Sequence, residues 1–394
     1  MELPGTPIVR FAFAIALAAT GVFASAQGLV TESLANSGEA VWTFAPNRTP
    51  TGQTEKASRA VASGDYAAAI TPARLSLAQR PLDAATLRLL AVSQLNTDNA
   101  EGAGRSLTLA SQLGWRDTAT QFLLFQVARE SGDVNGAAIR FDSMARQRME
   151  AERLKDLMHT FLVDPGAPEA MAERLSGNPN WRREYLLTTD PIPSETYRPW
   201  LEMLAAMKRI GSPPRPNEYA AIERTLIDFG QIPLAIEASR EFGALSKGEA
   251  AGFETLSQGE LASPFAWSVF PGREASVTQP ESDTVRVTAD GQVSGTIIQR
   301  VVPLGAGTHS FLVRSDGQEP DGEGAFRWTV TCLPSRVELE TRTNMTRGLA
   351  GEPSTEQVSF VAPAGCLAAR IALASLGGRI RGDYALTVSR ARLD

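Results

Sequence analysis

Between Ala57 and Met149 the chain repeats its pattern every 34 residues, and that period restricts the fold more than any other feature. Gly64-Asp65-Tyr66, Asp98-Asn99-Ala100 and Gly132-Asp133-Val134 stand 34 positions apart. At a fixed offset behind each comes an alanine: Ala69, Ala103, Ala137. Ala73, Leu107 and Phe141 follow, and then Ser76, Ala110 and Met144. Alanine, leucine and arginine fill the stretches between the turn residues, so the spacing predicts helical hairpins with Gly or Asp-Asn at their turns. The alanines fall where the second helix of each hairpin crosses the first, and a small side chain there lets the two approach closely. A hairpin of this length cannot bury its own apolar face, so consecutive hairpins must stack.

This period and this order of small and large residues resemble the tetratricopeptide repeat, a helix-turn-helix family. The resemblance is clearest over 50–83, 84–117 and 118–151. It implies a TPR-like α-solenoid that takes a protein partner on its concave side, where Arg88, Asn96, Gln126 and Arg129 would face. A plain solvated face is the alternative for each of these four. Beyond Met149 the pattern thins. Gly166 keeps the spacing, but Met171 replaces the alanine and Asp164-Pro165 ends a helix early. Prolines at 179, 191, 193, 199, 213, 214 and 216 leave room only for helices that are short or begin on proline. One such helix is expected over Glu195 to Arg209, and a hairpin over Tyr219 to Phe242 with Gly230 at its turn and Ala235 at its crossing. Residues 53–248 are thus expected to hold five or six stacked hairpins.

Near Lys247-Gly248 helical periodicity stops. Short alternating or β-branched runs follow, separated by Gly, Pro and Asp, and predict strands over 284–287, 295–302, 309–314, 325–332, 336–341, 357–361, 368–374 and 384–389. That number of strands in so short a stretch predicts an all-β sandwich. Phe326, Trp328, Val330 and Cys332 alternate with Arg327, Thr329 and Thr331, so the aromatic pair is expected to face the core. Gly252-Phe253-Glu254, Pro264-Phe265-Ala266-Trp267 and Pro363-Ala364-Gly365-Cys366 are similar to jelly-roll domains of the carbohydrate-binding and galactose-binding-like kind, over 252–394. The pair of modules, repeats and then sandwich, resembles an arrangement in bacterial envelope proteins, which implies exopolysaccharide or envelope-polysaccharide handling. A sugar cleft on this sandwich could include Phe265, Trp267 or Trp328; core packing is the alternative for each ring.

Arg10 precedes an apolar run, Phe11 to Phe23, closed by Ala24-Ser25-Ala26. The run is shorter than the ~20 residues a spanning helix needs. It reads as a secretory signal over residues 1–26, cleaved after Ala26; an uncleaved amphipathic anchor is the alternative. Residues 27–52 read as a loosely ordered lead-in whose Val41-Trp42-Thr43-Phe44 docks on the first helices. An exported, periplasmic chain would sit in an oxidising compartment, which favours a disulfide between its only two cysteines, Cys332 and Cys366, over two separate buried thiols. No later segment is apolar for long enough to span a membrane. The formal net charge of −6 argues against nucleic acid, whose phosphates require a basic surface.

Catalytic chemistry is hard to find. No glycine-rich phosphate loop occurs in a strand-helix context. Of the two histidines, His159 sits in an apolar helical stretch and His309 opens a strand, and neither stands in a recognisable triad. Two sulfurs and two distant histidines give no zinc spacing. Asp316, Glu319, Asp321 and Glu323 form an acidic stretch that reads as calcium ligands or as a solvated hairpin tip. Paired carboxylates could serve glycoside cleavage, but no motif ranks the many candidates. No catalytic residue, metal or cofactor is therefore assigned. The sequence reads as an exported non-catalytic binding or scaffold protein, with a polysaccharide-active hydrolase or lyase as the alternative and a purely bracing sandwich as a third reading.

Overall fold

The computed structural model describes residues 49–113, 115, 117–147, 149–187, 192–243, 245, 253, 256–258, 262–270, 275–290, 294–318, 326–344, 354–376 and 383–393. The expected signal segment, its cleavage after Ala26, the docking of Val41 to Phe44 and the acidic residues Glu319, Asp321 and Glu323 lie outside the described residues. Twelve α-helices precede two packed β-sheets among the described residues. The chain divides between Trp181 and Arg182 into two compact units.

The first unit is built from four helical hairpins: α1 (Pro50–Ala62) with α2 (Tyr66–Gln79), α3 (Ala84–Leu95) with α4 (Ala100–Leu113), α5 (Thr118–Ser131) with α6 (Val134–Arg146), and α7 (Ala151–Leu162) with α8 (Ala167–Ser176). Their turns share one backbone device. Gly64, Asp98, Gly132 and Gly166 all have φ between 58° and 83°, the left-handed region that ends a helix without a costly clash only at Gly, Asn or Asp. The residue after the turn then starts the second helix: Asp65 accepts from Ala68 N at 3.0 Å, Asn99 from Gly102 N at 3.0 Å and Asp133 from Gly136 N at 2.9 Å. The alanines at 69, 103 and 137 are buried, as are Ala73, Phe141, Ala110 and Met144, whereas Leu107 is only half-buried. At the fourth crossing Met171 is fully buried in place of alanine. Phe125 of α5 sits between Phe141 and Phe161, its ring centroid 6.3 and 5.4 Å from theirs. Register thus persists one hairpin further than the side-chain pattern does.

The second unit opens with α9 (Arg182–Leu186), a 3-10 turn (Ser194–Thr196), α10 (Tyr197–Arg209), α11 (Pro216–Asp228) and α12 (Ile232–Phe242). Gly230 turns the α11–α12 hairpin at φ 76°, and Ala235 is buried at the crossing. Strands follow: β1 (Leu256–Gln258), β2 (Trp267–Val269), β3 (Ala275–Glu281), β4 (Thr284–Asp290), β5 (Ser294–Pro303), β6 (Gly307–Gln318), β7 (Phe326–Leu333), β8 (Glu338–Asn344), β9 (Ser354–Ala362), β10 (Ala368–Leu376) and β11 (Asp383–Leu393). They make a six-stranded sheet in the order β1-β2-β5-β10-β7-β8 and a five-stranded sheet in the order β3-β4-β11-β6-β9. All pairs are antiparallel except β1 with β2. Because side chains alternate along each strand, each sheet gives one face to a shared core. Val285, Val287, Phe311, Val313, Val358, Phe360, Leu386 and Val388 enter it from the five-stranded sheet, and Trp267, Trp328, Val330, Ile371 and Leu373 from the other.

Cys332 in β7 is bonded to Cys366, in the turn before β10, with their Cα atoms 5.5 Å apart. The crosslink closes a 34-residue interval, for which the chain-entropy estimate gives about 4 kcal/mol. Replacing both cysteines by alanine is expected to lower the unfolding free energy of the second unit by about that amount and its urea midpoint with it, with a somewhat steeper slope because the uncrosslinked unfolded chain exposes more surface; a midpoint and slope within error of the parent would show that the crosslink is energetically idle.

Candidate functional site

Of the four polar residues expected on the inner helices, two hold carboxylates across hairpins. Arg88 on α3 donates from Nε to Asp117 Oδ2 at 3.0 Å, and Asp117 also caps α5 through Thr120 N at 3.2 Å. Arg129 on α5 grips Asp164 with two bonds, 2.5 and 2.9 Å, and reaches Thr160 O at 3.1 Å. These arginines tie one hairpin to the next. Asn96 caps its own helix, its Nδ2 donating to Val92 O at 2.8 Å. Gln126 is half-buried on α5. Arg88 and Arg129 thus spend at least part of their hydrogen bonding on carboxylates at the start or end of neighbouring helices, while Asn96 is exposed.

The three rings considered for sugar contact are also placed inside. Phe265, Trp267 and Trp328 are 0 to 1% exposed. Trp267 lies 4.9 Å from Phe253 and 6.2 Å from Trp328, and Trp328 lies 5.1 Å from Phe311, all centroid to centroid. Offset and edge-on aromatic packing of this kind fills a sandwich core. A ring with no exposed face cannot stack on a sugar. His159 is likewise buried in α7, and His309 donates from Nε2 to Gly305 O at 2.8 Å while its ring stacks on Phe360.

The surface that remains chemically distinctive is the outer face of the five-stranded sheet. Strand alternation turns the residues between the core valines outward. Arg286 of β4, between Val285 and Val287, is exposed and sits between Thr278 of β3 and Thr387 of β11 in register. One step along the sheet, Thr284, Ser389, Arg314 and Thr355 form a second row across β4, β11, β6 and β9. Ser276 with Thr288 lies on one side of these rows, and Gln357 and Ser359 on the other. From the strand spacing and rise, Arg286 and Arg314 are offset by roughly 12 Å between Cα positions. The face is thus rich in short hydroxyl side chains and carries two arginines, with one acidic residue in each row: Asp316 of β6 in register with Thr387, and Glu281 of β3 in register with Thr284. Neither arginine was singled out from the sequence, although Thr284-Val285-Arg286-Val287 already shows which way Arg286 must point.

A second polar cluster joins α11 to the sandwich within the second unit. Glu223 is fully buried on α11, and its Oε2 accepts a 2.5 Å hydrogen bond from Ser263 Oγ. Its neighbour Arg224 donates to Ala262 O at 2.8 Å. Burial pushes the Glu223 carboxyl up to about 7, against the opposing pull of the Ser263 and Ser239 hydroxyls and of Arg224. At the other end of α11, Arg336 reaches Asp228 O at 3.3 Å. Burial likewise lowers the Arg370 pKa, with the Asp228 carboxylate acting in the opposite direction.

No family model matches the chain, and no curated protein matches its sequence. Solved structures similar to it include carbohydrate-binding β-sandwich modules and parts of larger glycosidases. One described as "CBM4 structure and function" is 13% identical with a TM-score of 0.29, over 36% of this chain and 96% of the other. A "Family 16 Carbohydrate Binding Module-2" is 13% identical at a TM-score of 0.23, over 31% and 86%. The CBM22-1 xylan-binding domain from Paenibacillus barcinonensis Xyn10C is 10% identical at 0.26, over 37% and 91%. Identities and scores at this level assign no ligand, so the surface chemistry must carry the functional reading. Among the described residues no helix is long and apolar enough to cross a membrane, and no group of three His, Cys, Asp or Glu side chains is placed to hold a metal ion.

Proposed function

We propose that the chain is an exported, non-catalytic binding protein that holds an acidic polysaccharide on the outer face of its five-stranded sheet and docks a protein partner on a tetratricopeptide-like arc of its 34-residue hairpins. The observation that carries the glycan reading is the placing of Arg286 and Arg314 among Ser, Thr and Gln on one sheet face, with Asp316 and Glu281 at the ends of their rows. Neutral sugars are held largely by stacking on exposed rings, and here Phe265, Trp267 and Trp328 are all internal. Recognition therefore falls to hydrogen bonds and charge. Guanidinium groups pair with carboxylate, sulfate or phosphate substituents through charge-assisted bonds about twice as strong as neutral ones. The Cys332–Cys366 bond accords with an oxidising, exported location.

A hydrolase or lyase on the same face would have to use Asp316 and Glu281, which stand in different rows and on strands three apart. Glu223, the carboxyl group among the described residues with a pKa raised toward neutrality, is buried on α11 instead. A glycan array probed with the whole chain tests the proposal. Binding is expected to acidic polymers and not to neutral ones, and to weaken several-fold when salt rises from low to physiological levels, because the surface charges are then screened. Binding to neutral glucans or xylans of equal strength, or binding indifferent to salt, would overturn it.

A further inference from the structure

We propose that Glu223 is a proton-dependent latch: its neutral carboxyl holds the 262–266 segment of the sandwich against α11 and α12, and loss of its proton releases that segment. This goes beyond the glycan surface, which lies on the other sheet, and does not rest on it. Ser263 is the hinge pin of the joint. Its hydroxyl donates to Glu223 Oε2 and accepts from Phe265 N at 3.3 Å, and its carbonyl accepts from Ala266 N at 3.1 Å and from Ser268 Oγ at 3.2 Å. The next residue, Pro264, accepts from Val301 N of β5 at 2.7 Å. One carboxyl group therefore reaches the six-stranded sheet through two residues of chain.

The surroundings of Glu223 leave no room for a solvated anion. A Cβ added at Gly243, just past α12, would fall 2.2 Å from Oε1 and 2.9 Å from Ser239 Oγ. Oε1 itself has no hydrogen-bond partner of good geometry. The groups presented to the carboxyl are the Ser239 hydroxyl from α12, the Ser263 hydroxyl from the sandwich and, from its own helix, Arg224, whose guanidinium is committed to Ala262 O. The other charged groups of α12 with a marked partner, Glu237 and Glu241, are exposed and bound to Arg198 and Lys208 of α10. Arg240, also on α12, is exposed as well. Among the described residues no cation is thus placed to balance an ionised Glu223 fully, and an ionised carboxylate in such a setting is stabilised by opening toward water.

The sign follows directly. Burial raises the folded-state pKa above the ordinary carboxyl value of 4.5, so the closed joint binds a proton that the open joint releases. The latch is strongest below the ordinary value and weakens as pH rises toward about 7, beyond which the effect levels off. Hydrogen–deuterium exchange of the whole chain, corrected for the intrinsic pH dependence of amide exchange, tests this at Phe265, Ala266 and Val301. Between pH 5.5 and 7 the opening equilibrium at these amides is expected to rise about fifteen-fold, with a slope near tenfold per pH unit that flattens as pH 7 is approached, while Val330 in the sandwich core stays level. Glu223→Gln should abolish the rise, and Ser263→Ala should keep it but move its upper end to higher pH, since the lost hydrogen bond favours the charged form. A flat response in the parent chain, or an equal rise in Glu223→Gln, would overturn the latch. If Glu223→Gln fails to fold, the Ser263→Ala shift decides alone: no shift counts against the proposal.

Discussion

A chain beginning at residue 252 is expected to lack a cooperatively folded sandwich, whereas one beginning at residue 182 is expected to unfold in a single transition. The composition changes near residue 248, so the shorter cut is the one that the sequence invites. The folded chain argues for the longer one. Helices α9 to α12 belong to the same compact unit as the strands. The Glu223–Ser263, Arg224–Ala262 and Arg336–Asp228 bonds all join α11 to the sandwich. Phe265, Ala266 and Val301 are buried, yet all three fall outside the sandwich's own core cluster. Exposing one side chain the size of Phe265 costs roughly 2 to 3 kcal/mol, and a stable domain holds only about 5 to 15 kcal/mol in reserve. Losing the helices removes several such contributions at once. Urea unfolding followed by tryptophan fluorescence checks this; a 252–394 fragment with a sharp transition at the same midpoint as 182–394 would refute it.

Replacing Arg182 by alanine is expected to cost about 3 to 5 kcal/mol, the usual penalty for stranding one partner of a buried ion pair. Arg182 and Glu218 are 4% and 2% exposed and share two bonds, Nε to Oε1 at 3.0 Å and Nη2 to Oε2 at 2.6 Å. Glu218 has a second duty, since Oε2 also accepts from Arg215 N at 2.8 Å and so closes the start of α11. Lysine is a poor substitute because its single ammonium cannot reproduce the two-pronged geometry. The less buried Arg129–Asp164 pair, 17% and 28% exposed, provides the contrast: it has similar geometry, but partial solvent screening reduces the expected cost of Arg129→Ala to about 1 kcal/mol. Denaturant midpoints for the two variants should differ accordingly. Equal losses would mean that burial is not what gives the Arg182 pair its weight.

Much of this architecture was legible from residues alone. The eight strands expected from 284 onward correspond to β4 to β11, because their apolar residues alternate and turn residues bound them. The earlier strands were missed for physical reasons. β2 is three residues long and buried throughout, so it shows no alternation, and β3 carries Gln279 and Pro280 at its end. The 34-residue period located the hairpin turns, down to the left-handed residue in each, because only Gly, Asn or Asp tolerates that backbone. It did not reveal what Arg88 and Arg129 hold. Their partners lie 29 and 35 residues on, close to one repeat away, a spacing that would have suggested ties between hairpins. Aromatic residues misled in the opposite sense, because chemistry that suits sugar stacking also suits a dry core. Glu223 offered only a faint sign: it sits four residues before Ile227, on the apolar side of α11, where a charge needs a reason.

Affinity electrophoresis of the whole chain through a gel containing an acidic polysaccharide, with polymer length measured before and after, tests the central claim most directly. The account predicts that the parent chain is retarded, that Arg286→Ala combined with Arg314→Ala migrates as if no polymer were present, and that the polymer keeps its length. Equal retardation of the double variant, no retardation of the parent by any acidic polymer, or shortening of the polymer would contradict it.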